Sequence, residues 1–258
     1  MGLAKRLLFP YLPSFFRRWL REQRLRHKFK RDFNEFARLQ TLSGRKIALQ
    51  WEDRLPCLND ATSSTPFEKH YLYHLAWAAR ILQRTRPARH VDVSSALQFA
   101  CILSAFVPTD YYEFRPVSLG LDGLATAAAD LKQLPLRDRS VLSLSCMHVV
   151  EHVGLGRYGD ALDAEGDLRA ISELSRVLAT DGNLLLVIPV GVPRVQFNAH
   201  RVYSYEQIVA SLPGLRLVEF SLITDYDDPA GLVVNASPEL ARKQSYGCGC
   251  FWFQRPRA

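Results

Sequence analysis

The stretch CMHVVEHVGLGRYGD, Cys146 to Asp160, places two histidines and a glutamate within five residues. His148-Val-Val-Glu151-His152 fits the H-x-x-E-H string of a zinc peptidase helix. On a helix, His148 and His152 would share a face and hold one zinc while Glu151 polarised its water. A hydrolase of that kind needs a third protein ligand, and Glu219 is the candidate. Against this, Gly154 and Gly156 close the segment too soon for a metallopeptidase helix, so a short turn without metal is expected. Near the end of the chain, Cys248 and Cys250 form a single C-x-C pair with no second pair. In a strand both thiols would point to one face, which suits burial better than chelation.

His148 directly follows an apolar run, SVLSLSC, and a histidine at a strand end has the near-neutral pKa of a general base. His200 is the alternative base; it stands in PRVQFNAHRVYS with Arg194, Asn198 and Arg201, a crowd of polar groups that a core does not explain. In the long loop GLGRYGDALDAEGD, Arg157 offers a cation for an acidic group and Tyr158 a ring for stacking on a sugar or an aromatic molecule. A second set is spread along the chain: Asp92, Ser94 and Ser95 in HVDVSS, Glu113 in TDYYEFRP, and Asp130-Leu131. The Glu113 carboxylate, twenty-one residues after Asp92, has two acceptor oxygens for the two adjacent hydroxyls of a ribose.

The elements that would position these groups alternate, as in a parallel sheet with helices on both faces. A helix over 68–85 presents Tyr71, Leu72, Leu75, Ala78, Ala79 and Leu82 at helical spacing and ends before Pro87. RHVDVSS follows as strand and turn, ALQFACILSAF as a helix and TDYYEFRP as a second strand. LGLDGLATAAADLKQLPLRD reads as a loop-rich connection to the buried strand SVLSLSC, which ends at Cys146. Then come the turn HVVEHV, the helix DLRAISELSRVLA and the strand GNLLLVIPV, entered through Asp181-Gly182. The helix YSYEQIVASL and the strands LRLVEFSLI and YGCGCFWFQR complete the chain.

The order Asp92, Glu113, Asp130, buried strand resembles a class I S-adenosylmethionine-dependent methyltransferase, most sharply from Asp130 to Val190. SLSCMHVVEHVGLGRYGD, FNAHRVYS and YGCGCFWF are similar, more closely, to an uncharacterised family with this methyltransferase-like fold, over about residues 70–254. The resemblance implies a Rossmann-like α/β sheet with helices on both faces, over 67–258. It also implies S-adenosylmethionine as cofactor, cradled by Asp92, Ser94, Ser95, Glu113, Asp130, Leu131 and Cys146. His148 or His200 would take the acceptor proton, with Arg157, Tyr158, Asn198 and Arg201 orienting a polar, hydroxylated acceptor such as a sugar or surface-glycan intermediate. One departure is plain: the family's first loop has glycines where this chain has Ser94 and Ser95. A non-catalytic binding or scaffold protein with a degenerate cofactor loop is therefore the alternative expectation, and a zinc hydrolase using His148, Glu151 and His152 the third.

Of 258 residues, the first fifty hold thirteen Lys or Arg against three Asp or Glu, while the rest hold twenty against twenty-three. The basic excess thus belongs to an N-terminal arm, residues 1–66, which argues against a nucleic-acid-binding body. Within the arm, Phe15, Trp19, Phe29, Phe33 and Phe36 recur at helical spacing among arginines and lysines, a pattern that suits an anionic membrane surface or packing of its aromatic face. Pro10, Pro13 and Arg17-Arg18 interrupt any signal-peptide core, no apolar run reaches bilayer-spanning length, and the five cysteines are odd in number and scattered. These features point to a cytoplasmic protein, peripheral at the inner membrane face if the arm engages lipid.

Overall fold

The computed structural model describes residues 13–115, 117–226 and 231–257. The chain divides into two compact units, residues 1–66 and 67–258.

In the first unit a single 30-residue helix, α1 (Ser14–Ser43), starts after Pro13 and stops at Gly44, whose left-handed backbone (φ 67°) closes the last turn onto Thr41. Helix α1 buries none of its residues. Its aromatic residues divide: Phe29 and Phe33 pack on Trp51, the latter edge-on at 4.9 Å, whereas Phe15, Trp19 and Phe36 remain exposed. Ion pairs one turn apart, Arg26–Glu22 and Arg38–Glu35, lie along the solvated surface. Among the described residues no helix is long and apolar enough to cross a membrane.

The second unit is built on a seven-stranded sheet of order β3-β2-β1-β4-β5-β9-β8. Strands β1 (His90–Val93), β2 (Thr109–Glu113), β3 (Leu124–Ala128), β4 (Val141–Met147) and β5 (Leu178–Val190) run parallel; β9 (Gly247–Gln254) is antiparallel between β5 and β8 (Arg216–Ile223). The central strands are buried on both faces, which is why β5 carries the apolar run LLLVIPV and β4 holds only apolar residues and small serines. Helices α2 (Lys69–Thr85), α3 (Leu97–Leu103), α4 (Gly166–Val177), α5 (Tyr205–Ser211) and α6 (Pro238–Arg242) cover the sheet or its connections. Ser204 caps α5 through a reciprocal box with Gln207, satisfying two otherwise orphaned N–H groups.

Three features differ from the sequence expectation. Residues 124–128 form the edge strand β3 instead of loop, because the short, small-residue segment LATAA gains its order from pairing with β2 along its whole length. The buried face of α2 is His74, Trp77, Ala78, Ile81 and Leu82, with Tyr71 and Leu72 exposed, so a histidine takes a core position that the apolar pattern assigned to its neighbours. The polar segment after β5 is a two-stranded hairpin, β6 (Arg194–Gln196) with β7 (His200–Val202).

Candidate active site

The carboxyl ends of β1, β2 and β4 converge on one cavity, the position at which open α/β sheets bind their ligands. Its enclosed volume is about 210 Å³. That is below the roughly 300–1,000 Å³ of a usual small-molecule pocket, so a nucleoside-sized ligand would fill it and extend past the mouth. Ser94 and Ser95 line it after β1, Glu113, Phe114 and Arg115 after β2, Asp130, Leu131 and Lys132 after β3, and Met147, His148, His152 and Val153 after β4. Tyr71 of α2 and Tyr158 and Asp160 of the long loop complete the wall. Arg115 stacks on Tyr158, 4.6 Å from the ring centroid, which joins the loop after β2 to the long loop across this wall.

The loop after β1 shows how the chain manages without glycine. Ser94 adopts the left-handed conformation (φ 55°) that glycine adopts without cost, and its hydroxyl donates to the Tyr112 carbonyl. Ser95 accepts from the Met147 N–H through Oγ and donates its own N–H to Asp92 Oδ1. The Ser94 hydroxyl is thus bound to the backbone of β2, and Ser95 Oγ is held by the backbone of β4. Asp92 lies beneath that loop with no exposed surface, and burial pushes its carboxyl up to about 7. Asp92 therefore supports the cavity floor and does not line it. Cys146 is likewise a core residue, with its side chain packed among apolar neighbours.

Glu113 is different. Its Oε1 accepts from the Arg115 N–H (3.2 Å), and its Oε2 lies 3.3 Å from the Tyr111 hydroxyl, whose single proton it shares with the Ser95 carbonyl at 3.0 Å. Each carboxylate oxygen thus has an acceptor site left over.

Beyond β4, His148 also has a left-handed backbone (φ 58°) and is followed by a single 3-10 turn, Val150–His152. His148 and His152 therefore do not share a helix face, and the H-x-x-E-H string does not build the zinc site that its letters suggest. The His148 ring is held at both nitrogens: Nδ1 lies 2.9 Å from Glu151 Oε1 and Nε2 lies 3.3 Å from Cys248 Sγ. With both nitrogens occupied, His148 forms cavity wall and is not free to accept a proton from an acceptor molecule. At His152, Nδ1 bonds the Ala199 carbonyl at 2.6 Å, which fixes that nitrogen as the donor, while Nε2 carries the lone pair and lies 3.8 Å from Glu151 Oε1. Desolvation by burial lowers the pKa of His152 below the ordinary imidazole value. Glu219, the expected third zinc ligand, instead accepts from Trp77, Ser221 and Arg84.

The acceptor-side residues separate. Tyr158 lines the cavity, and Arg157, which does not, stacks on the Tyr158 ring (5.1 Å) and donates to the Ala199 carbonyl. His200 packs on Tyr246 (4.7 Å between centroids) and bonds Gln196, outside the cavity wall. Asn198 is exposed in the β6–β7 turn. Arg201 is buried; it donates to the carbonyls of Val153 and Asp163 and faces Asp167 at 3.6 Å, so it ties the long loop to the hairpin, outside the cavity wall. Arg194 donates to the carbonyls of Val192 and Ser245. Gly154 anchors the long loop: its φ is 81°, and a Cβ there would collide with the Asp163 carbonyl.

Sequence reasoning missed Tyr71, Arg115, Lys132 and Asp160 as cavity residues, and the histidines of α2 altogether. His70 and His74 stand one turn apart, and that i,i+4 spacing was the available signal. In the structure both rings pack against His148, at centroid distances of 6.0 and 5.1 Å. Desolvation by burial holds His70 down to about 4 and His74 to about 3, so both are neutral near pH 7.

This sheet order, with a cavity at the carboxyl ends of the parallel strands, is a Rossmann-like fold of the class I methyltransferase type. A protein of Bacillus halodurans C-125, described as a candidate methyltransferase, superimposes with a TM-score of 0.50 at 14% identity, over 70% of this chain and 100% of that one. The N-methyltransferase NodS of Bradyrhizobium japonicum WM9, in complex with S-adenosyl-L-homocysteine, gives 0.49 at 15% identity over 78% and 92% of the two chains. Within the sequence, residues 140–241 match the family model DUF268, a Caenorhabditis protein of unknown function. No curated protein matches the chain by sequence.

Proposed function

We propose that the cavity binds S-adenosylmethionine and that the protein transfers its methyl group to a hydroxylated acceptor. The observation that carries this reading is Glu113: a carboxylate at the end of β2, facing the cavity, with one acceptor position left over on each oxygen for the two ribose hydroxyls. Asp130, Leu131 and Lys132 would flank the base, and the backbone of Ser94 and Ser95 would approach the amino-acid part. The cofactor supplies an electrophilic methyl group. On the acceptor side, Tyr71, Tyr158 and His152 form an aromatic and polar wall suited to a sugar ring or another hydroxylated molecule. His152 Nε2 is the group that takes the hydroxyl proton, in place of His148 and His200, because its lone pair is fixed by the bond from Nδ1 to Ala199. The exposed aromatic and basic surface of α1 supports a further reading, that the arm rests on an anionic membrane surface.

A non-catalytic binding module is the second reading, and the inward-turned hydroxyls of Ser94 and Ser95 favour it. Calorimetric titration with S-adenosylmethionine and S-adenosylhomocysteine decides between them. Glu113→Ala removes the charged acceptor for two hydroxyls, at about 1.5–3 kcal/mol per hydrogen bond, and should weaken binding by at least about tenfold. Wild-type protein that is folded and binds neither compound would remove the methyltransferase reading and leave the binding module.

A further inference from the structure

Beside the cavity, three side chains from distant parts of the chain converge. His70 comes from the first turn of α2, His148 from the residue after β4, and Cys248 from β9. Each presents a ligand atom within 4.8 Å of the other two. The His148 Nε2 to Cys248 Sγ distance is 3.3 Å. In a tetrahedral zinc site with Zn–N about 2.05 Å and Zn–S about 2.3 Å, adjacent N and S ligands lie about 3.5 Å apart. A second, independent feature is the buried Glu151, whose Oε1 lies 2.9 Å from His148 Nδ1. A carboxylate that accepts from the far nitrogen of a histidine and turns the near lone pair inward is the usual outer shell of a metal-bound imidazole.

We propose that His70, His148 and Cys248 form a binding site for a zinc-type transition-metal ion, with Glu151 as the outer carboxylate that orients His148. Two imidazoles and one thiolate are the borderline-soft donors that select zinc over magnesium or calcium. On binding, Cys248 gives up its thiol proton to solvent, one proton per ion, and the thiol–imidazole contact is replaced by bonds from both groups to the metal. Three protein ligands leave a fourth position, and one of the three, His148, also lines the cavity. His152 is outside the set, held by Ala199, which distinguishes this site from the one suggested by the H-x-x-E-H string. The site goes beyond the cofactor reading and does not depend on it.

The test uses the full-length protein, stripped with a chelator and titrated with zinc and, separately, with cobalt(II) as a spectroscopic probe. One ion should bind per chain, and cobalt should give a near-ultraviolet thiolate charge-transfer band together with the intense visible bands of a four-coordinate ion. Cys248→Ser should abolish the charge-transfer band, and Glu151→Gln should weaken zinc binding by about 10–100-fold. His70→Ala, at the partly exposed start of α2, should weaken it by more than that, whereas the exposed Cys57→Ser should leave it unchanged. Absence of stoichiometric zinc in folded wild-type protein, or a charge-transfer band that survives Cys248→Ser, would overturn the proposal. If Cys248→Ser does not fold, His70→Ala carries the test, and unchanged zinc affinity in it overturns the site. No S-adenosylmethionine is present in these titrations, so their failure and that of the cofactor reading are distinguishable.

Discussion

Replacing Asp92 with asparagine should make the protein more stable at high pH and nearly spare it at low pH. Asp92 is fully buried, Ser95 N–H is its hydrogen-bond donor, and its second oxygen has no partner. Burial raises its carboxyl from the ordinary 3.8 to about 7. Well below its ordinary pKa the group is protonated in both the folded and the unfolded chain and costs nothing. As pH rises, the unfolded chain ionises first, and stability falls until the folded carboxyl ionises as well, near pH 7. The full loss is the roughly three-unit shift multiplied by 1.36 kcal/mol, about 4 kcal/mol. At pH 5 only about 1.6 kcal/mol of it has accrued, and at pH 8 nearly all. The substituted amide remains neutral throughout and still offers an oxygen to the Ser95 N–H. The stability of Asp92→Asn relative to wild type should therefore rise by about 2–3 kcal/mol between pH 5 and pH 8. Urea unfolding followed by tryptophan fluorescence at the two pH values measures it, since Trp77 and Trp252 lie in this unit. A difference that does not change with pH would refute the reasoning, because it would mean that Asp92 ionises in the folded protein as readily as in the unfolded chain.

Two further outcomes follow from the geometry. Arg201→Met leaves Asp167 buried without its cation and releases the Val153 and Asp163 carbonyls, so unfolding free energy should drop by about 3–5 kcal/mol. An unchanged denaturation midpoint would return Arg201 to the role of a ligand-orienting side chain. Deleting residues 1–40 should abolish sedimentation with anionic vesicles, and for the full chain that sedimentation should weaken as salt is raised. Equal sedimentation of the two forms would leave the aromatic residues of α1 as packing groups.

Much of the fold could be read from the chain because its central strands announce themselves. GNLLLVIPV is an almost continuous apolar run, SVLSLSC holds only apolar residues and small serines, as strands covered on both faces can, and the helix between them has one apolar side. The edge strand β3 could not be read this way. Leu124–Ala128 contains small residues with little side chain to bury, and pairing with β2 supplies its order.

The sequence by itself determined the alternation of elements, the acidic residue at the end of β2 and the helical character of the basic arm, since each depends on local pattern and charge. Only the tertiary structure decided which polar residues share a space. Ser94, Ser95, Glu113, Asp130, Leu131, His148 and Tyr158 meet at one cavity, whereas Asp92 and Cys146 pass beneath it and His200, Asn198 and Arg201 turn elsewhere. His148 and His152 are four apart in sequence, but after the left-handed backbone at His148 one ring reaches Cys248 and the other the Ala199 carbonyl, with Glu151 between them. His70 and Cys248 are 178 residues apart, and they meet only because α2 and β9 pack at the same end of the sheet. A side chain's chemistry is fixed by its type, but its partners are fixed by where the backbone carries it.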